Sequence, residues 1–347
     1  MKTIIKKYIV LLIMLSIFIF VGCTENSIET SKGTLNKIET SKKNELTYVN
    51  ITYDPTVLGK RAEENLGEKA TKYYKEILIP AVLNRKKEID VPKDLTDNEK
   101  ALIANYFQQN CPLEYFTGTP FFNVNKDKIL FDYTRCKDMT EKEYKQLVNN
   151  MCKSIESIIN NNIKENYNYF ESVISLYRYL SQYTVYNKDA ESTNAYGVLV
   201  NKEGTCCGFA QSMQILLSQL NLDEGYQVEW LSRDNIEGHV WNVLYLDEEW
   251  YYLDATWENG STNGDGLIYF AMDEDRRNND YLQKDEYTMS PLSLDLSVPT
   301  CNSDRFEIFK YCRKYKLDLD NHVVKIKNYE DNKWYILDTE NYSIREV

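Results

Sequence analysis

Hydrophobic and polar positions change their period several times along the chain, and each change marks an element or a boundary. After Lys2, Lys6 and Lys7 comes an apolar stretch at 8–21, broken only by Ser16. A bilayer span takes about 20 apolar residues, so this stretch has the length of an export signal's apolar segment instead. Residues 24–46 carry no aromatic side chain, are rich in Ser, Thr, Asn, Lys and Glu, and repeat Ile-Glu-Thr-Ser-Lys at 28 and 38. That composition predicts a solvated tether. Apolar residues return at helical spacing in 68–84 and 141–160, with a loop around Gly118 and Pro120 before the apolar run 129–131. Tyr169, Val173, Leu176, Tyr177, Leu180 and Tyr183 form a stripe that predicts an amphipathic helix over 168–183. Phe209, Met213, Leu216, Leu217 and Leu220 predict a second helix, entered through the loop 204–208. Beyond Asn221 the period falls to two, and strands are expected at 226–231, 239–246 and 250–256.

The last two strands bring candidate chemistry together. If they close through a two-residue turn at Asp247 and Glu248, opposed positions sum to 495. Asp254 then faces Trp241 and lies diagonal to His239 on the same face, with Cα atoms about 7 to 8 Å apart. A turn of odd length would put Asp254 on the other face. Cys206 falls at the first turn of the preceding helix, where unpaired backbone N–H groups favour an anion. A thiol becomes a useful nucleophile only as thiolate, and an imidazole oriented by a carboxylate can hold its proton. Read without these neighbours, a cysteine beside a cysteine is a buried filler or half of a disulfide.

Charge and cysteine usage narrow the picture further. The chain of 347 residues has 53 acids against 41 bases, which argues against a nucleic-acid partner and against a basic membrane-binding face. Cysteines stand at 23, 111, 136, 152, 206, 207, 301 and 312, without a Cys-x-x-Cys spacing, and the histidines are His239 and His322. No metal and no cofactor are therefore expected, and disulfide pairing is left open.

Three short motifs carry a family resemblance. Gly204-Thr205-Cys206-Cys207-Gly208-Phe209-Ala210, His239-Val240-Trp241-Asn242 and Trp250-Tyr251-Tyr252-Leu253-Asp254-Ala255-Thr256-Trp257 resemble, in order and separation, the three motifs of the transglutaminase-like superfamily. The similarity covers about 165–275. It implies an α+β, papain-like core, with the cysteine-bearing helix packed on an antiparallel sheet, and acyl transfer through a thioester. Carried over position by position, Cys206 is the nucleophile, because Gly208 and Phe209 set the register and Cys207 takes the variable place. His239 is then its base and Asp254 the residue that orients the base. The Cys206 N–H is a natural oxyanion donor, and Tyr196 is the candidate for a second. Trp241, Asn242 and Trp257 are expected at the site wall.

At the N-terminus, Phe20-Val21-Gly22-Cys23 resembles the lipobox of bacterial lipoproteins, which implies lipid attachment at Cys23 and a place outside the cytoplasm on the cell membrane. The expected organisation is a signal peptide at 1–22, a lipidated cysteine and tether at 23–46, and an accessory, helix-bearing region at 47–160. A catalytic domain at 161–300 and a β-hairpin extension at 301–347 complete it. In that extension Trp334-Tyr335-Ile336-Leu337-Asp338 echoes 250–254, and His322 precedes it, but no cysteine motif accompanies them; a structural hairpin is expected. The reaction class is cysteine-dependent acyl transfer or hydrolysis at amide bonds, acting on a protein, a peptide or a cell-wall peptide. The alternative is a non-catalytic, surface-anchored binding module that keeps the same fold.

Overall fold

Three of the long helices begin the same way, and the sequence shows why. Thr96 with Glu99, Thr140 with Glu143 and Asn168 with Glu171 each form a reciprocal capping box, the side chain of the first bonding the N–H of the second and the reverse. Each box satisfies two backbone donors that a helix start leaves orphaned. They open the helices Asp97–Asn110, Glu141–Asn162 and Tyr169–Tyr183. In this computed structural model the described residues are 47–118, 121–122, 127–232, 238–281, 287–291 and 297–347. The signal segment, Cys23 and the tether lie outside them.

The fold is α+β with a transglutaminase-like core. Its central sheet is antiparallel, in the order Glu249–Leu253, Gly238–Leu246, Tyr226–Ser232, Tyr287–Pro291. The second of these is here called the histidine strand and the first the aspartate strand. The strand Gly238–Leu246 is buried on both faces, which its apolar run requires. Leu244 and Leu246 join the large core shared with the helices, while Trp241 and Val243 pack with Val228, Tyr252, Met272 and Cys301 on the opposite face. The cysteine helix, Cys206–Gln219, lies against this strand. Its third residue must be small: a Cβ on Gly208 would stand 2.8 Å from the Asn194 carbonyl oxygen. Behind the cysteine helix packs the helix Tyr169–Tyr183, whose Phe170, Val173, Ile174, Leu176, Tyr177 and Leu180 are all buried.

The large core runs without interruption from Tyr53, through Leu102, Phe107 and Ile155 of the N-terminal helices, to Val324 and Leu337 near the C-terminus. The C-terminal residues form more than a hairpin. Cys312–Asp318, Val323–Asn328, Trp334–Asp338 and Ile344–Glu346 make a four-stranded antiparallel sheet. There His322 Nδ1 sits 2.8 Å from the buried Glu171, while the Asp338 backbone pairs with Val323. The echo of the 250–254 motif is thus part of a sheet whose histidine serves a helix cap.

Candidate active site

The hairpin register decides the geometry. The histidine and aspartate strands pair Leu246 with Glu249 through Asn242 with Leu253, every pair at the register expected from a two-residue turn. Asp247 and Glu248 both take positive φ, 48° and 69°, the signature of a type I′ turn, whose twist matches that of the flanking strands. His239 Nε2 consequently lies 2.5 Å from Asp254 Oδ2. Asp254 is itself buried, and its other oxygen accepts the Trp257 N–H at 2.9 Å as the N-cap of the helix Ala255–Thr262. Two directed bonds and an N-terminal helix dipole therefore hold one carboxylate in place. The hydroxyl of Tyr177, from the helix Tyr169–Tyr183, adds a bond to the Asp254 carbonyl at 3.1 Å.

Cys206 is the first residue of its helix and is unbridged, as are the other cysteines among the described residues. The Cys207 thiol, the His239 ring and the backbone N–H of Val240 each act on its sulfur so as to favour the thiolate. The Cys207 bond is the largest influence lowering the Cys206 pKa; burial opposes it, and the bond and charge of His239 follow. Cys207 moves the opposite way, held protonated by that bond, by its own burial and by the Cys206 charge. For His239, burial works against the charged ring, but the charge and hydrogen bond of Asp254, then those of Cys206, raise it to about 10. Both shifts run in the direction that favours a thiolate beside an imidazolium. With Nε2 given to Asp254, Nδ1 is the ring nitrogen left for the sulfur.

Asn242 is buried and donates to the Ala210 carbonyl at 2.9 Å, joining the histidine strand to the cysteine helix. Trp241 is fully buried with its ring stacked 5.8 Å from the His239 ring, and Trp257 approaches the same ring at 5.7 Å from the cavity side. That cavity, of about 440 Å³, is bounded by Tyr186, His239, Thr256, Trp257, Gly260, Ser261 and Tyr269.

Tyr196 is placed differently from the expectation of a second oxyanion donor. Its ring stacks on Tyr115 at 3.9 Å and meets Phe116 edge-on at 5.3 Å, so its surface goes to the core of the N-terminal helices. The tyrosine beside the thiols is Tyr186, whose hydroxyl is pushed up by burial and then by the charges of Cys206 and Cys207. A short parallel pairing of Val185–Tyr186 with Glu203–Gly204 brings it there. Nothing marks this residue among 28 tyrosines in the sequence, because the pairing that positions it is non-local. Glu229, opposite Val240 on the neighbouring strand, also feels the Cys206 charge, after its own burial, and is raised.

A cysteine at a helix start, a histidine on the strand packed against that helix and a carboxylate that holds the ring stand in an order that suits nucleophilic cysteine chemistry. Residues 156–255 match the model of the transglutaminase-like superfamily, a stretch that contains Cys206, His239 and Asp254. A solved structure described as "Crystal structure of a TGase" is similar at 15% identity and a TM-score of 0.23, covering 49% of this chain and 50% of that one. The chain thus spans about half the length of that protein. No curated protein matches.

Proposed function

We propose that the protein is a cysteine-dependent acyltransferase or amidase, anchored outside the cytoplasm through Cys23, that acts on amide bonds of proteins, peptides or cell-wall peptides. The observation that carries this reading is the 2.5 Å contact of His239 Nε2 with Asp254 Oδ2, set by the even hairpin register, with the same ring acting on the sulfur of Cys206 at the start of its helix. The anchoring half rests on the sequence of 1–23 alone.

In the forward step the Cys206 sulfur attacks the amide carbon and a C–S bond forms as the C–N bond breaks. The imidazolium proton of His239 goes to the departing nitrogen, leaving a thioester and a neutral ring. An incoming amine or water then loses its proton to His239 as it bonds the carbonyl carbon and the C–S bond breaks. Asp254 keeps the ring aligned and stabilises its charged form in both halves. The Cys206 N–H, at the start of its helix, is oriented to receive the developing oxyanion.

A thiol-directed alkylating probe tests the reading. Cys206 is expected to label faster than every other cysteine, and His239→Ala to slow that labelling by roughly 100-fold. Incubation of cell-wall material and candidate proteins with a labelled amine, read by mass spectrometry, separates transfer from hydrolysis. Uniform slow labelling, or amide turnover retained in Cys206→Ala, contradicts it.

A further inference from the structure

A second cavity adjoins the one beside His239. It measures about 470 Å³ and shares two wall residues, Ser261 and Tyr269, with the first. Both shared residues are fixed by the triad's own scaffold. Ser261 belongs to the helix Ala255–Thr262 that Asp254 caps, and the Tyr269 N–H is held by the buried Glu258 carboxylate of that helix at 2.8 Å. The two cavities therefore border on a common wall, and a chain lying along both would run from His239 toward the C-terminal sheet.

The far end differs in chemistry from the near end. Around His239 the lining is aromatic and hydroxylic, with Tyr186, Thr256, Trp257 and Ser261. At the far end four charged side chains appear, and three of them are basic: Arg276, Lys310 and Arg313, against Glu330. Arg276 is buried and gives its N–H groups to the carbonyls of Ile268, Phe270, Ala271 and Phe306, so its positive charge is a fixed part of the wall. Lys310 lies over the Tyr311 ring at 5.4 Å. Arg313 is exposed and makes no ion pair among the described residues. In a chain with 53 acids and 41 bases, a groove end with this excess of cations is set against the overall charge. Arginine and lysine flanked by tyrosine rings suit a carboxylate carried on a peptide, with the single acid Glu330 outnumbered by them.

We infer that the groove takes a peptide substrate whose amide lies at Cys206 and whose free carboxylate is held by Lys310 and Arg313. This rests on the catalytic reading above and adds the substrate's charge and the direction in which it extends.

The test uses pairs of peptide alkylating probes that differ only in one terminal group, a carboxylate in one and a carboxamide in the other. They are made at increasing length and with the electrophile at either end. The readout is the second-order rate of Cys206 modification by intact mass. The carboxylate member is expected to react at least about 5-fold faster at one length, with the advantage shrinking as salt rises. Lys310→Glu with Arg313→Glu is expected to bring the ratio of the carboxylate to the carboxamide rate down to about 1 or below, with an unchanged thermal melt showing that the variant is folded. Equal rates for both members at every length overturn the inference and leave the catalytic reading intact. A phosphate-bearing probe that outpaces the carboxylate one likewise overturns the assigned chemistry. Failure of every probe to prefer Cys206 over the other cysteines sinks the catalytic reading itself.

Discussion

Asn242 Nδ2 donates to the Ala210 carbonyl across 2.9 Å, and this bond fastens the strand that carries His239 to the helix that carries Cys206. Two catalytic groups on different elements keep their separation only as well as those elements keep theirs. Asn242→Leu is therefore expected to slow Cys206 alkylation by about 10-fold or more at neutral pH, while lowering stability by only about 1 to 2 kcal/mol. Chemical denaturation beside alkylation kinetics separates the two effects. Unchanged kinetics would show that packing alone holds the helix in place.

Asp254 does two jobs, and a conservative substitution divides them. Asparagine keeps a side-chain oxygen for the Trp257 N–H but removes the charge that stabilises the His239 imidazolium. Asp254→Asn should keep the helix cap, lower stability only through the lost partner of the His239 imidazolium, and move the pH dependence of Cys206 alkylation to higher pH. Asp254→Ala should in addition cost about 1 kcal/mol or more through the lost helix cap.

The turn offers a test of register. Glu248 sits at a φ of 69°, where a side chain is strained and glycine is not. Glu248→Gly is expected to stabilise the protein by roughly 1 kcal/mol without altering alkylation kinetics. One glycine inserted between Asp247 and Glu248 should instead turn Asp254 away from His239 and remove the selective reactivity of Cys206. Normal reactivity after that insertion would mean the register does not matter.

Glu258 supplies a pH-dependent term in stability. Burial, opposed by bonds from the Tyr269 N–H, Thr262 and Tyr177, raises its carboxyl from 4.5 to about 7. The folded state thus binds this proton more tightly than the unfolded state. Its contribution is fully present below about 4.5 and is lost as pH rises through about 7. Thermal melts across this window should show that slope in the wild type and a flatter profile in Glu258→Gln.

Much of the site was legible because it is built from short-range rules. Strand period two and a two-residue turn are enough to put Asp254 diagonal to His239, and the motif glycine at 208 has a visible reason in its approach to Asn194. The helices expected over 141–160 and 168–183 begin where side chains three residues apart cap them, whereas the helix Asp97–Asn110, capped in the same way, was not anticipated. What escaped the sequence depends on distant pairings. Tyr186 reaches the thiols through a parallel bridge to Glu203–Gly204, and Tyr196 is claimed by Tyr115 and Phe116 from another part of the chain. The C-terminal residues read as one hairpin because burial along the strand at 312–318 follows no period of two and the strand at 344–346 is exposed throughout.

Whether His239 is charged at rest decides whether Cys206 is a thiolate held by an imidazolium. The chain has two histidines, so ring signals in an NMR titration are assigned by comparison with His322→Gln. The His239 ring is expected to stay protonated well above neutrality, up to about 10, and Cys206→Ala to lower its pKa by removing the thiolate. A His239 ring that titrates near 6.5 in the wild type, unmoved by loss of the Cys206 sulfur, would contradict it.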